Sequence, residues 1–324
     1  MNKFRFKHFL SALLLCTMVF TLPLHTAFAE VGKIVTLGAN LTTAQKEDML
    51  KEFGVNKDEV KIIEITNKDI TDLLGGDSNT PGGGNSSFSS SYVELLSKGN
   101  GISVETNNLT QVTGNMLVNA LITAGITDAH IKASSPFPVT GEAALTGILK
   151  GFETSTGNKI SETQKKVAQD EVGVVGNLGE SVGNDKASSI INDIKTQVIK
   201  DKPKNEEQIK DIIVNITNNY NVKLTDEQKK EIQGLMSRIN DLDINYDSVK
   251  DSLNKFGSEI KNILKDQGEK IKESGFFQKL WEDIKDFFSS LFDKIEKSFN
   301  NDNKETTPSE SSSTTSPNTD IKSE

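Results

Sequence analysis

The sequence predicts a fold of the α+β or α/β class, with a mixed-sheet N-terminal domain followed by an all-α C-terminal region. Residues 30–157 alternate short β-branched, apolar runs with segments of helical periodicity, which is typical of a sheet covered by helices. Residues 158–275 keep the helical periodicity and show no clear strand pattern. The same helix-start pattern occurs in both regions, which supports well-defined helices in each.

Residues 1–29 have the pattern of a cleavable secretory signal peptide. Three basic residues precede the apolar run 10–22, and Ala27-Phe28-Ala29 places small residues at the two positions that signal peptidase reads. The apolar run is shorter than the ~20 residues that a membrane span requires. We therefore expect cleavage between Ala29 and Glu30, and a secreted or cell-envelope protein.

The first predicted elements after this segment are a strand, a helix and a second strand. Thr42 and Gln45 form a capping-box pattern, in which each side chain bonds the backbone N–H of the other residue. Gly54 supplies the left-handed residue that commonly ends a helix. The predicted strands on either side of this helix are residues 31–37 and 60–65. A Gly- and Ser-rich loop follows at residues 75–87.

The segment Ser97–Gly101 is rich in turn-forming residues and predicts a hairpin between residues 89–96 and 102–109. In that register Glu94 faces Glu105 across the two strands. Two carboxylates held that close share a proton, which is the arrangement of a general acid/base pair. Alternatively, one side chain points outward or the register differs, and both carboxylates are simply solvated.

Residues 129–133 alternate apolar and polar side chains and predict a further strand, with His130 facing solvent. In the C-terminal region, Ser161 and Thr225 each begin a helix-start pattern. The Ser-, Thr- and Pro-rich residues 300–324 predict a disordered tail. The helices predicted beside the strand 129–133 are residues 116–124 and 141–152.

The most distinctive pattern is an amphipathic helix over residues 276–299, placed between the helical region and the tail. Its opposite face carries acids and lysines in near balance, which argues against binding to anionic lipid. The apolar stripe either packs on the protein's own helices, or mediates self-association, a protein partner or a membrane surface. Its members recur at steps of three and four residues: Phe277, Leu280, Trp281, Ile284, Phe287, Phe288, Leu291, Phe292, Ile295 and Phe299.

Composition excludes several kinds of chemistry. The single cysteine, Cys16, lies in the signal segment, and the remaining chain has one histidine, His130, and one arginine, Arg238. Disulfides, thiolate metal sites and a cysteine nucleophile are therefore excluded from the exported chain. With a formal net charge of −9, the chain does not have the clustered cations that contacts with phosphates require. We predict no nucleic-acid partner and no bound cofactor.

One acidic run has the spacing of a calcium loop. Asp241, Asp243, Asn245 and Asp247 place oxygen atoms at every second residue. The run has Tyr246 where the sharp turn needs glycine, and no glutamate closes the coordination shell. Alternation of these acids with apolar residues fits an extended segment with one buried face equally well. We therefore predict no metal site, with these four residues as the only candidates.

Four stretches of the chain carry a family resemblance: residues 35–42, 101–106, 119–125 and 136–148. They resemble the exported YpuA-like family, known as domain of unknown function 1002. The resemblance covers roughly residues 33–260, and its most specific part includes Pro136-Phe137-Pro138. This chain departs from the family pattern in a longer Gly-rich loop and in Ser134-Ser135, where small apolar residues are expected. The resemblance implies a secreted bacterial protein of the Firmicute type and supplies no activity and no functional residues.

The sequence therefore favours a non-catalytic envelope or extracellular binding protein. The alternative is a hydrolase that acts on a cell-envelope polymer through paired carboxylates, for which Glu94 and Glu105 are the candidates. A pair of acids that converges in a cleft would discriminate between these two functions.

Overall fold

A five-stranded mixed sheet organises the N-terminal half of the protein. The computed structural model describes residues 32–73, 86–141 and 143–271. Helices follow and cover the sheet, which confirms the predicted α+β class. The strands are β1 (Lys33–Gly38), β2 (Lys61–Ile65), β3 (Ser90–Leu95), β4 (Ile102–Leu109) and β5 (Ala129–Val139).

The strand order is β2-β1-β3-β5-β4, so β2 and β4 are the edges of the sheet. β1 pairs in parallel with β2, and β4 pairs in parallel with β5. β3 lies in the middle and is antiparallel to both of its neighbours. In the β3–β5 pair, Tyr92 lies opposite Lys132 and Glu94 lies opposite His130.

The predicted hairpin between the third and fourth strands is wrong, because β5 lies between them. An interior strand pairs with a neighbour on each side, and β5 places Ala129, Ile131 and Ala133 on one face, where all three are buried. The outward-facing residues of β4 are mostly polar and exposed, which suits an edge strand. Asp128 holds the intervening turn by accepting hydrogen bonds from the backbone N–H groups of Gly99 and Gly101, at 2.8 and 2.9 Å.

β5 is also longer than predicted and includes Pro136 and Pro138. Proline has no backbone N–H and is normally excluded from the middle of a sheet. Here the pairing of β5 with β3 ends at Ser134, so the prolines lie where that side of β5 has no strand partner. β4 still meets the end of β5, across an irregularity between Asn107 and Leu109.

The helix ends follow the local sequence signals closely. The capping box of Thr42 and Gln45 is present at helix α1 (Thr43–Phe53), and Gly54 ends the helix with a φ of 74°. Ser161 and Thr225 cap two later helices as predicted. The other helices of the described residues are α2 (Asn67–Leu73), α3 (Gly114–Thr123), α4 (Ala143–Thr156), α5 (Glu162–Val182), α6 (Asn184–Asp201), α7 (Glu206–Asn219), α8 (Asp226–Asp241) and α9 (Tyr246–Asp266). Of these described helices, none is long and apolar enough to cross a bilayer.

The two faces of the sheet are covered unequally. On one face, Val35 and Tyr92 belong to a small hydrophobic cluster with residues of α1. On the other face, Val93 and Ile131 join a much larger cluster that includes α3 and α4 and continues through the later helices to Leu264. Residues 30–157 and 158–275 therefore share a core. The domain boundaries proposed from the sequence remain predictions.

Helix α6 lies in the centre of the helical part and carries charged groups into its core. Lys195 and Glu171 of α5 are both fully buried, and Lys195 Nζ lies 2.8 Å from Glu171 Oε1. The other two ammonium protons have acceptors in the backbone carbonyl of Asn119, at 2.7 Å, and Thr123 Oγ1, at 3.1 Å. Burial lowers the pKa of Lys195, while the Glu171 carboxylate opposes that shift. The pair is thus fully hydrogen-bonded inside the protein.

A second buried network involves Asp193, two residues before Lys195 on the same helix. Asp193 accepts hydrogen bonds from the Tyr220 hydroxyl and, at 2.9 Å, from Lys261 Nζ. The hydroxyl of Ser189 lies 2.7 Å from the Tyr220 oxygen. Burial and the neighbouring Asp193 carboxylate raise the pKa of Tyr220 well above its ordinary value, so the phenol stays a neutral donor.

Candidate functional site

The candidate site is a cleft on the thinly covered face of the sheet, which we call the polar cleft. One wall is formed by side chains of β1, β3 and β5, and the other by the end of α1 and the loop that follows it. Its volume is about 440 Å³, which lies within the range of small-ligand sites. The strand wall consists of Lys33, Tyr92, Glu94, His130 and Lys132, and the opposite wall of Phe53, Gly54, Val55, Glu59 and Val60.

The polar cleft exists because α1 covers only part of this sheet face. Phe53, the last residue of α1, is buried in the small hydrophobic cluster, and Gly54 then turns the chain away with a φ of 74°. Beyond that point the sheet continues with polar side chains that alternate with buried residues such as Val93 and Ile131. The period of two along a strand therefore places these polar groups together on the open side.

Glu94 and Tyr92 form the best-defined contact in the polar cleft. The Tyr92 hydroxyl donates to Glu94 Oε2 at 2.8 Å. Burial raises the pKa of Tyr92, and the hydrogen bond to Glu94 and its charge raise it further, so the phenol does not act as a base near neutral pH. Lys33 Nζ lies 3.8 Å from Glu94 Oε1, which is a loose ion pair. The Glu94 carboxylate therefore keeps lone pairs for a further donor.

His130 links the polar cleft to β4. Its Nδ1 lies 2.8 Å from Ser103 Oγ, and its Nε2 lies 3.8 Å from Glu105 Oε1. The ring also meets Tyr92 edge-on, with 6.2 Å between ring centroids. The imidazole is half-buried rather than fully facing solvent, because strands lie on both sides of it.

The chain Ser103–His130–Glu105 has the order of groups that activates a serine nucleophile. Ser103 lies on the surface of a strand, where backbone N–H groups lie in the plane of the sheet. Acyl transfer also needs donors aimed at the developing oxyanion, and a flat strand surface does not aim its N–H groups there. We therefore assign these residues to positioning His130.

The two carboxylates that the sequence analysis paired do not meet. Glu94 lies opposite His130 on one side of β5, and Glu105 lies opposite Lys132 on the other side. Neighbouring strands lie ~4.8 Å apart, so strands β3 and β4 are separated by roughly 10 Å at the backbone. The shared-proton arrangement proposed for Glu94 and Glu105 required direct pairing of their strands, and that pairing is wrong.

The acidic run 241–247 connects two helices and is not an extended segment. Asp241 ends α8, and Asn245 caps α9 by accepting a hydrogen bond from the Asp247 backbone N–H at 2.8 Å. Asp243 is almost fully exposed and pairs with Lys202, while Asp247 pairs with Lys250. Across the part of the chain that the structure describes, there is no group of three or more metal-binding side chains.

Several further features of the sequence analysis lie outside the described residues, among them the predicted signal peptide 1–29. The amphipathic stripe of residues 276–299 and the predicted tail 300–324 lie outside the described residues as well. Most of the Gly-rich loop, residues 74–85, also lies outside. The interaction hypothesis for the stripe therefore remains a prediction.

A larger groove of about 870 Å³ lies beside α5 and α8. Arg238, the only arginine among the described residues, lines it and pairs with Asp170 at 3.3 Å. Gly173 contributes open space to the groove, because a Cβ atom added there would meet nothing within 4 Å. The polar cleft is the stronger candidate, because it combines both signs of charge with the histidine and a tyrosine in one small space.

The sequence analysis named Glu94, Glu105 and His130 but missed Tyr92, Lys33 and Lys132. The alternation of polar and apolar residues along the third and fifth strands could have placed Tyr92 with Glu94 and Lys132 with His130. The order of the strands, which brings these pairs together, has no local signal in the sequence.

The comparisons with known proteins support the resemblance found in the sequence. A family model described as a protein of unknown function, DUF1002, matches residues 37–256. The chain is 37% identical over 267 residues to the uncharacterized protein YpuA of Bacillus subtilis strain 168. The aligned region covers 81% of this chain and 92% of that protein. No solved structure matches the chain. The match to the family model includes the end of the first strand and all of the other four, and this chain belongs to the DUF1002 family.

Proposed function

We propose that this chain is an exported, non-catalytic binding protein that takes its ligand in the polar cleft. The observation that carries this proposal is the open sheet face, where Glu94, His130 and Lys132 share one 440 Å³ space with Tyr92. A concave site with a few convergent polar groups is the usual form of a small-ligand site.

Export is proposed from residues 1–29, which combine a basic start, a short apolar run and a peptidase pattern. The expected mature N-terminus is Glu30. Intact-mass analysis and N-terminal sequencing of protein recovered from the culture medium and the envelope fraction will test this. Recovered protein that begins at Met1 would contradict both the cleavage and the proposed route.

Binding is supported over hydrolysis by the way in which the carboxylates are arranged. A glycoside hydrolase places its two carboxyl groups roughly 5–9.5 Å apart across the scissile bond. Glu94 and Glu105 extend from strands that a third strand separates, and Glu105 has two-thirds of its side chain exposed. No described contact brings the two carboxylates to one substrate position, so we do not propose the hydrolase.

Association through residues 276–299 is a second, separate part of the proposal. The stripe contains ten large apolar residues on one predicted helical face, including Trp281 and Phe288. An apolar surface of that size needs a cover, which its own protein, a partner or a membrane can supply. The test below therefore changes the polar cleft and the stripe independently.

The experiment is co-sedimentation of the purified protein with a cell-envelope fraction. The double variant Glu94→Gln/Lys132→Met removes the two opposed charges of the polar cleft and keeps similar side-chain shapes. We expect the apparent affinity of the protein for the envelope fraction to fall at least tenfold, because hydrogen bonds to charged groups contribute ~1.5–3 kcal/mol each. The stripe variant Trp281→Asp/Phe288→Asp shows in parallel whether the stripe contributes.

The matched control is Glu47→Gln/Lys57→Met. Glu47 of α1 and Lys57 of the loop that follows form an exposed ion pair, at 3.2 Å, and the double variant makes the same change in charge. The control should sediment like the unaltered protein. If the polar-cleft variant also sediments unchanged, the polar cleft does not bind a component of the envelope.

A further inference from the structure

The four strand residues at the centre of the polar cleft form a regular pattern. Tyr92 and Glu94 of β3 lie opposite Lys132 and His130 of β5, respectively. The charged residues Glu94 and Lys132 thus occupy one diagonal of a square, and the rings of Tyr92 and His130 occupy the other. Diagonal neighbours in an antiparallel pair lie ~7–8 Å apart. Opposite charges are therefore held apart, with two aromatic rings between them.

Glu94 has capacity for a positively charged ligand group. Its side chain is 29% exposed, and its partners are the Tyr92 hydroxyl at 2.8 Å and Lys33 at 3.8 Å. A carboxylate has about four acceptor positions, so these contacts leave it incompletely satisfied. The other acid of the polar cleft is Glu59. Hydrogen bonds from the Asn56 side chain and from the Asn56 backbone N–H lower the pKa of Glu59 and tie it to the loop.

Lys132 has the complementary capacity for a negatively charged group. Its ammonium makes a long hydrogen bond, 3.4 Å, to the backbone carbonyl of Phe53. Among the residues that the structure describes, no carboxylate lies within 4.0 Å of Lys132 Nζ. An ammonium group has three donors, so two of them remain for a ligand.

The charges of the polar cleft also exclude a strongly charged ligand. Lys33 and Lys132 are balanced by Glu59 and Glu94, so the lining is formally neutral when His130 is neutral. A polyanion or a polycation would leave one sign of lining charge facing its like. A ligand that carries one ammonium and one carboxylate satisfies both open groups at once.

We propose that the polar cleft binds a small zwitterion, a short peptide or amino acid, whose ammonium contacts Glu94 and whose carboxylate contacts Lys132. This ligand class rests on the proposed binding function of the polar cleft. A dipeptide separates its terminal charges by one more ~3.8 Å Cα step than an amino acid does. The diagonal spacing of Glu94 and Lys132 therefore favours the dipeptide.

The test is calorimetric or NMR titration of the purified protein with four probes: alanylalanine, N-acetyl-alanylalanine, alanylalanine amide and free alanine. Each blocked dipeptide removes one terminal charge and should bind at least about tenfold more weakly than alanylalanine. Glu94→Gln should reduce the affinity for alanylalanine to that of the unaltered protein for N-acetyl-alanylalanine. Lys132→Met should reduce the affinity for alanylalanine to that of the unaltered protein for alanylalanine amide.

Each outcome decides a separate point. Stronger binding of alanylalanine than alanine supports a peptide, and equal binding supports the zwitterion with a free amino acid as its source. Failure of both to bind overturns the ligand class, and so does equal binding of the blocked and free dipeptides. The loss of envelope co-sedimentation in Glu94→Gln/Lys132→Met is measured separately, so the function can stand when the ligand class fails. Thermal unfolding of Glu94→Gln and Lys132→Met establishes that both variants are folded.

Discussion

Replacement of Lys195 with methionine is expected to lower the free energy of unfolding by about 3–5 kcal/mol. The ammonium of Lys195 has acceptors in Glu171, Asn119 and Thr123, and its side chain is fully buried. Its removal leaves the Glu171 carboxylate buried without a countercharge, which costs far more than the loss of an ordinary hydrogen bond. Such a loss is a large part of the 5–15 kcal/mol that typically stabilises a domain.

Urea unfolding followed by circular dichroism measures this change. The matched control is Lys68→Met, because Lys68 also pairs with an acid, Asp72, but its side chain is 81% exposed. Exposed pairs contribute less than about 1 kcal/mol. The double variant Lys195→Met/Glu171→Leu should recover much of the loss, since it removes both charges together. A Lys195→Met protein as stable as the Lys68→Met control would show that the pair is dispensable.

Replacement of Asp193 with alanine should also cost about 3–5 kcal/mol. Asp193 accepts from the Tyr220 hydroxyl and from Lys261, so its loss removes the carboxylate that binds the buried phenol and pairs with the lysine. Burial raises the pKa of Asp193, whereas the charge of Lys261 and the hydrogen bonds lower it. Tyr220→Phe removes one donor and leaves the ion pair, so it should cost only about 1–2 kcal/mol.

The control for this network is Asp170→Ala. Asp170 pairs with Arg238 at 3.3 Å on the surface, with 33% of its side chain exposed, and its loss should cost less than about 1 kcal/mol. Chemical unfolding of the three variants at one pH gives the comparison. Equal stabilities of Asp193→Ala and Asp170→Ala would mean that the buried network does not stabilise the fold.

Local signals in the sequence predicted where helices and strands lie better than they predicted which strands are adjacent in the sheet. Thr42, Ser161 and Thr225 identified three helix starts because a cap is formed by residues within one turn. The insertion of β5 between β3 and β4 depends on contacts between residues far apart in the sequence, and the turn at Gly99 is compatible with either arrangement. The pairing of Glu94 with Glu105 failed for this reason alone.

Helix α6 shows a second limit of sequence patterns. Its polar residues Ser189, Asp193 and Lys195 are typical of a solvent-facing side, yet all three are buried. α6 packs against α3, α5, α7, α8 and α9, so no side of its middle faces water. An amphipathic pattern distinguishes the buried face of a helix from its exposed face. The middle of α6 has no exposed face, so such a pattern does not apply to it.

The unequal covering of the sheet has a consequence for how the protein opens. α1 is held by a small cluster around Phe53 and Tyr92, whereas the opposite face shares a core with most of the later helices. Regions with few buried apolar contacts open with a lower free energy than the whole molecule does. Amide protons of α1 are therefore expected to exchange through a sub-global opening while β3 and β5 stay protected. Because the end of α1 is one wall of the polar cleft, the same opening sets how readily a ligand enters and leaves.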